Sequence, residues 1–348
     1  MTSADSNPIK TLLIRYAKND GWYNGLKILP SFDVTMVFWI IGERRIGKTD
    51  LFLRLACDLW LEFRLKTMWI RNKKVELESE NTANFLNDAV KNGWCPDSWT
   101  PRDDGVYESS DKEAERLIEF QSISTFSNAR GGSHPDTVMM LLDEFCPEDR
   151  KYPKMAAEGL MSLTKTVFSG RTDARLFCLS NFTEATNPYF VRFRIFPAKG
   201  RDVTVFPDKR MLIERCSGYR KAIEEGNPWN DVYKGAGVLN YASEDEDAMM
   251  RMICRMPKGL KPAPYLVLID GIYYRRWMSP KGVWWAEYHG STQGIVIYSP
   301  NLQECSDSVH MISRYLVKDI NDCLEVGMLR FTHPNVMFAV LSMAYSAV

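Results

Sequence analysis

The pattern of apolar and polar positions changes period several times along this chain, and each change marks an element. From Val34 to Ile41 the residues are almost continuously apolar, as in a strand covered on both faces. Phe52, Leu55, Ala56, Leu59, Trp60 and Phe63 then recur at helical spacing, so a helix follows the strand after one short loop. Further strands are predicted at Thr67 to Arg71, Ile118 to Gln121, Arg175 to Ser180 and Asp202 to Phe206, and in the apolar run that opens at Val138. Helices are predicted at Asn81 to Lys91 and at Met155 to Phe168, with Gly170 as the C-cap of the second. A hairpin fits the turn-rich stretch between 75 and 116, and Asn187-Pro188-Tyr189-Phe190 reads as a helix start or an edge strand. Strands alternating with helices give an α/β fold with a mainly parallel sheet.

The ends of the chain follow other patterns. A short amphipathic piece, Leu12 to Ala17, precedes an aromatic stretch, Gly21 to Gly25, and is expected to pack on the first strand without a readable role. Residues 208–250 are polar and contain the acidic run S-E-D-E-D, which suggests a helical linker. Beyond 251 a smaller α+β domain is expected. Leu266 to Ile269 and Ile272 to Met278 form a hairpin about an Asp270-Gly271 turn, strands follow at Gly282 to Tyr288 and Gly294 to Tyr298, and helices at Asp307 to Val317 and Val336 to Tyr345. The division is therefore 1–207, 208–250 and 251–348.

The loop between the first strand and its helix carries chemistry. It reads Gly42-Glu43-Arg44-Arg45-Ile46-Gly47-Lys48-Thr49, the phosphate-loop template residue for residue. Two glycines let the backbone turn so that successive N–H groups face phosphate oxygens, and the helix adds its positive end. Lys48 is placed to reach the outer phosphates of ATP, and the Thr49 hydroxyl to bind Mg²⁺. The second diagnostic stretch is V-M-M-L-L-D-E, an apolar strand ending in Asp143 and Glu144. Beside a phosphate-loop strand, the first acid holds the Mg²⁺ shell and the second polarises a water as general base. An acid poised on water favours hydrolysis over phosphate transfer to a hydroxyl. Ser180-Asn181, at the end of another strand, is a candidate sensor of the terminal phosphate, although Ser and Asn also favour plain turns. Arg71, Lys73 and Lys74 follow the second strand. Arg71 is placed to reach nucleotide and the lysines a polyanion, if they are not simply a solvated strand end. Arg130 lies in the turn-rich loop 124–135.

Bulk properties narrow the function. Basic and acidic residues balance at 44 each, so nucleic-acid contact must come from a local patch. No long apolar run lacks charge, which argues against a membrane span, and the polar N-terminus is unlike a signal peptide. The eight cysteines include no C-x-x-C, and the four histidines have no metal-ligand spacing, so reduced thiols in a cytosolic protein are expected. A GTP switch would need N/T-K-x-D, and T-K-T-V at Thr164 to Val167 lacks the Asp.

The phosphate loop, L-L-D-E-F, T-V-F, C-L-S-N and N-P-Y-F, in this order and at these intervals, resemble the DNA-packaging ATPases of small podophages of the phi-29-like group over residues 34 to 197. The resemblance implies a terminase-like, additional-strand, catalytic-glutamate ATPase. It implies a homo-oligomeric ring, expected to be a pentamer, that drives double-stranded DNA through a capsid portal in the host-cell cytoplasm. It leaves open a packaging RNA as a further partner. By position it makes Lys48, Thr49 and Asp143 the Mg-ATP ligands, Glu144 the catalytic glutamate and Ser180-Asn181 the coupling motif. Arg44 and Arg71 match family arginines, and Lys74 a lysine assigned to DNA. The family's arginine finger follows T-V-F, where this chain has Ser169; Arg171 is the favoured trans arginine and Arg130 the second. The C-terminal domain is implied to be a vestigial ribonuclease-H-like nuclease. Asp270 and Glu287 do not make the carboxylate cluster that two-metal cleavage needs, and Tyr273 to Trp277 are either a basic, aromatic contact patch or the alternating core and surface of a strand. The alternative is a terminase with an active nuclease.

Overall fold

The computed structural model describes residues 7–18, 20–77, 86–125, 134, 136–147, 151–181, 186–198, 200–219 and 252–346. The chain divides into two compact units. One comprises 1–183 and 196–242, the other 184–195 and 243–348.

The first unit is built on a nine-stranded sheet. In chain order its strands are β1 Val37–Gly42, β2 Lys66–Arg71, β3 Thr100–Arg102, β4 Gly105–Tyr107, β5 Arg116–Ser122, β6 Thr137–Asp143, β7 Arg175–Ser180, β8 Val203–Phe206 and β9 Met211–Cys216. Their spatial order is β3-β4-β5-β2-β6-β7-β1-β9-β8. The six strands from β5 to β9 in that order are parallel, and hairpins add antiparallel edges at both ends. The α/β, mainly parallel architecture read from the sequence is therefore present.

Helices α1 Pro8–Tyr16, α2 Lys48–Phe63 and α3 Ala156–Val167 belong to this unit. The apolar stripe of α2 buries Leu51, Phe52, Leu55, Ala56 and Leu59. The Phe52 ring lies tilted 4.6 Å from that of Phe177 on β7, which stacks 5.0 Å from Phe38 on β1. Each such side chain contributes about 1.5–3 kcal/mol on burial, so the start of the phosphate-loop strand and the N-terminal half of its helix are held together through β7. Trp39 points to the other face of β1 and meets Phe145 edge-on at 5.0 Å.

Several boundaries differ from the sequence reading. The first strand starts at Val37, because Leu26–Val34 closes a 3₁₀ helix that buries Ile28 and Phe32. The segment assigned to a linker from 208 contains β9, paired in parallel with β1, so the sheet continues to Cys216; 220–250 lie outside the described residues. Of the helix expected at 81–91, residues 86–91 are helical and 81–85 are outside the described set.

The second unit holds α4 Pro188–Phe193 and a six-stranded sheet. Asn187 caps α4 through a side-chain bond from Phe190 N, which settles the Asn-Pro stretch as a helix start. This segment belongs with the C-terminal unit, packing on the helix Pro334–Ser346, and not with 1–207 as the sequence division expects. The strands are β10 Lys261–Ile269, β11 Ile272–Ser279, β12 Gly282–Glu287, β13 Val296–Ser299, β14 Val309–Met311 and β15 Leu329–Phe331, in the order β14-β13-β10-β11-β12-β15. Asp270 (φ 52) and Gly271 (φ 77) make the expected tight turn. The helix predicted from Asp307 starts later: Val309–Met311 pairs with β13, and α5 runs Arg314–Glu325 behind the Ser313 cap. Helix α6 spans Pro334–Ser346. Among the described residues no helix is long and apolar enough to cross a membrane.

Candidate nucleotide site

The ends of β1, β7, β6 and β2 lie side by side at the carboxyl edge of the parallel sheet, where α/β proteins place their ligands. Gly42 turns the chain off β1. A Cβ there would stand 2.5 Å from Cys216 Cβ and 2.9 Å from Ile46 Cδ1, so the approach requires glycine. Arg45 (φ 63) and Gly47 (φ 90) are left-handed, which folds the loop amides into an anion nest. Helix α2 begins at Lys48, and its positive end faces the same hollow. Lys48 is 5% exposed; its Nζ donates to the Gly42 carbonyl at 2.7 Å and the Glu43 carbonyl at 2.8 Å, and lies 3.4 Å from Asn181 Oδ1. Burial pulls its ammonium below the ordinary lysine range, against the neighbouring negative groups. The hollow continues into a cavity of about 660 Å³ past Gly47 and Thr49, walled by Trp22, Tyr23 and Trp94.

Strand β7 stands between β1 and β6, so the acid-bearing strand is one removed from the loop strand instead of beside it. This is the additional-strand order. Two inter-strand spacings, roughly 10 Å, separate the ends of β1 and β6, and Asn181 bridges the interval from the end of β7. Asp143 is 4% exposed, and burial pushes its carboxyl up against the pull of Arg71. Arg71 reaches both acids, Nη2 to Asp143 Oδ2 at 2.8 Å and Nη1 to Glu144 Oε2 at 2.8 Å. Glu144 is left-handed (φ 58), a strained conformation for a side-chain-bearing residue that functional sites often hold. Two bonds hold it: Asn72 Nδ2 donates to its carbonyl at 2.7 Å, and Phe145 N donates to Leu179 O at 2.9 Å.

The sequence-predicted residues separate into groups. The loop from Gly42 to Thr49, Arg71, Asp143, Glu144, Ser180 and Asn181 converge on one sheet edge. Within the loop, Glu43 is half-buried, Ile46 is buried, and Arg44 and Arg45 are exposed. Ser180 is buried and bonds to Cys146 O at 3.4 Å. Lys73 and Lys74 follow β2 at that edge, Lys73 half-buried and Lys74 exposed. Arg171 does not join them. It precedes β7, at the opposite end of the strand, and grips Asp173 with Nε at 3.0 Å and Nη2 at 2.8 Å. Arg130 lies outside the described residues.

Sequence reading passed over Asn72, Tyr23 and Glu214. Asn72 is fully buried inside a run of cations, and Glu214 is a lone acid in an apolar run; those were the available signals. The donor set fits Mg-ATP: an amide nest with a buried ammonium suits a polyphosphate, and a helix-start hydroxyl with a buried carboxylate suits a hard, oxygen-loving cation. Among the described residues no group of three or more His, Cys, Asp or Glu could hold a metal ion.

Known proteins resemble the chain in sequence family and in fold. Residues 18–223 match the family model described as podovirus DNA encapsidation protein (Gp16). The DNA packaging protein of Bacillus phage phi29 is 27% identical over 189 residues, which covers 54% of this chain and 54% of that protein. The DNA packaging protein of Bacillus phage B103 is 26% identical over 192 residues, 53% of this chain and 55% of that one. The chain thus aligns with about half the length of the curated relatives it matches. The Phi-28 gp11 DNA packaging motor has a TM-score of 0.72 at 15% identity, over 95% of this chain and 98% of that chain, a likeness of fold. The N-terminal domain of the DNA packaging ATPase from bacteriophage phi29 gives 0.50 at 25% identity, over 57% of this chain and 97% of that domain. Because the family match spans more than half of its 348 residues, the chain belongs to the podovirus DNA encapsidation protein (Gp16) family.

Proposed function

We propose that this protein is the motor ATPase that drives double-stranded viral DNA through a portal into a preformed capsid. The observation that carries the reading is the edge where Lys48, Asn181, Asp143 and Glu144 meet, with Arg71 clasping both acids. The loop amides and Lys48 would hold the triphosphate. Thr49 and Asp143 would hold Mg²⁺, which supplies neutralisation of phosphate charge. Glu144, on the more exposed side of the pair, accepts the proton of the attacking water. Asn181 shares Lys48 with the loop, so Ser180-Asn181 suits a part that reports hydrolysis to the rest of β7.

Arg171 remains the proposed trans arginine. Its place at the far end of β7 removes it from its own site and leaves a neighbouring subunit as the site it would serve, provided that it exchanges Asp173 for phosphate. Self-association into a ring, a pentamer by resemblance, is part of the proposal, as are Lys73 and Lys74 as DNA contacts. The C-terminal unit is proposed to bind nucleic acid or portal without cutting. Its Asp270 is a turn residue paired with Arg194. The test is the ATPase rate of the full chain with and without double-stranded DNA, at rising protein concentration. Stimulation by DNA with a steeper-than-linear rise supports the motor; a DNA-independent, strictly linear rate refutes it.

A further inference from the structure

Glu214 is fully buried, and the chemistry above does not use it. It sits on β9 in register with Ile40, two residues before Cys216, the partner of Gly42. Its Oε2 accepts from the Tyr23 hydroxyl at 2.9 Å, and its Oε1 from the Tyr219 hydroxyl at 3.4 Å. Tyr23 is itself 3% exposed and touches the phosphate loop with its other end, its backbone N–H donating to the Ile46 carbonyl at 2.8 Å. The Tyr23 ring lies 6.4 Å from that of Phe52 on α2 and meets Tyr219 edge-on at 5.3 Å. Trp22, the preceding residue, lies 3.7 Å from where a Gly47 Cβ would be.

The direction of the Ile46 carbonyl matters. Ile46 stands between left-handed Arg45 and Gly47, and a carbonyl turned inward there would oppose phosphate oxygens where the loop should present amides. The bond from Tyr23 N ties that carbonyl to the segment before β1 and fixes its direction. A buried carboxylate is an expensive way to anchor a tyrosine. Burial pushes the Glu214 carboxyl up to about 7, while Tyr23, Lys27 and Tyr219 pull the other way and Asp202 adds to the rise. The charged and titratable groups around it are thus Tyr23 and Lys27 before the loop, Cys216 and Tyr219 after it in β9 and beyond, and Asp202 beside β8.

We propose that Glu214 and Tyr23 form a buried strut that sets the shape of the phosphate loop, which makes both of them positioning residues for nucleotide binding. This rests on the reading of the loop as a nucleotide site. The strut acts through Ile46, so its loss weakens nucleotide affinity more than it weakens the fold.

The test titrates the full chain with a fluorescent N-methylanthraniloyl ATP in Mg²⁺, and measures thermal unfolding of each variant without nucleotide. Tyr23→Phe removes one oxygen and keeps ring and backbone, so Kd should rise about five- to tenfold. Glu214→Ala should raise it about tenfold or more, and Glu214→Gln, which still offers an acceptor, should restore it to within about threefold. Unchanged Kd in Tyr23→Phe and Glu214→Ala, with or without a lower unfolding temperature, overturns the strut. Tyr23→Phe decides the matter even if Glu214→Ala fails to fold. A wild-type chain that does not bind the probe overturns the nucleotide reading itself, and the strut with it.

Discussion

Replacing Glu214 by Gln should change how the stability of the N-terminal unit depends on pH, with a sign and size that follow from its surroundings. The folded carboxyl titrates at about 7, against an ordinary 4.5. The folded state therefore holds the proton more tightly than the unfolded chain does. Its contribution to stability is complete below the unfolded value and is lost as pH rises through the folded one. A carboxyl displaced that far makes the ionised protein less stable by about 3 kcal/mol, most of which falls between about pH 5 and about pH 8. Gln is neutral throughout. Measured by urea unfolding, followed by tryptophan fluorescence, Glu214→Gln should gain about 2 to 3 kcal/mol on the wild type between those two pH values. Asp58, pushed up to about 6 by burial, titrates in the same window but is common to both proteins, so it cancels in the difference. Parallel pH profiles for the two proteins would refute the argument and show that the carboxyl sees water.

Three further outcomes follow. Asn72→Ala leaves Asp143 and Glu144 in the chain but frees the left-handed Glu144 backbone; steady-state kinetics should show kcat down about 10–100-fold with KM nearly unchanged, and a KM effect alone would contradict the positioning role. Arg171→Ala should keep nucleotide binding and lose DNA-stimulated hydrolysis by about 10³-fold or more, as expected of a trans arginine; near-normal turnover would return the residue to its pair with Asp173. Incubated with Mn²⁺ and supercoiled plasmid, the full chain should leave the plasmid intact, and linearisation abolished by Asp270→Asn would overturn the non-cutting reading of the C-terminal unit.

The loop and the acid pair were legible in the sequence because their chemistry is local. The template from Gly42 to Thr49 fixes a turn, a helix start and an ammonium within eight positions, and Asp143-Glu144 simply ends an apolar run. Residues acting over long separations were not legible. Tyr23 and Glu214 are 191 positions apart and meet only because β9 docks beside β1. The same fact explains the misplaced linker: M-L-I-E-R-C breaks apolar continuity with Glu214 and Arg215, and the two tyrosines that solvate the acid cannot be seen from the run itself. Asn72 was hidden differently, inside R-N-K-K, where three cations suggested a solvated end although its side chain is buried under Glu144. In the C-terminal unit, Val309–Met311 is too short for its period to oppose the helical pattern beyond it, and only pairing with β13 makes it a strand.

The central claim is that a carboxylate at the end of β6 aims water at a triphosphate held at the end of β1. Glu144→Gln tests it most directly, because the amide keeps the shape and removes the base. Binding of N-methylanthraniloyl ATP should stay within about threefold of wild type, while DNA-stimulated ATP hydrolysis falls by about 10²–10⁴-fold. Hydrolysis at the wild-type rate in that variant would contradict the account.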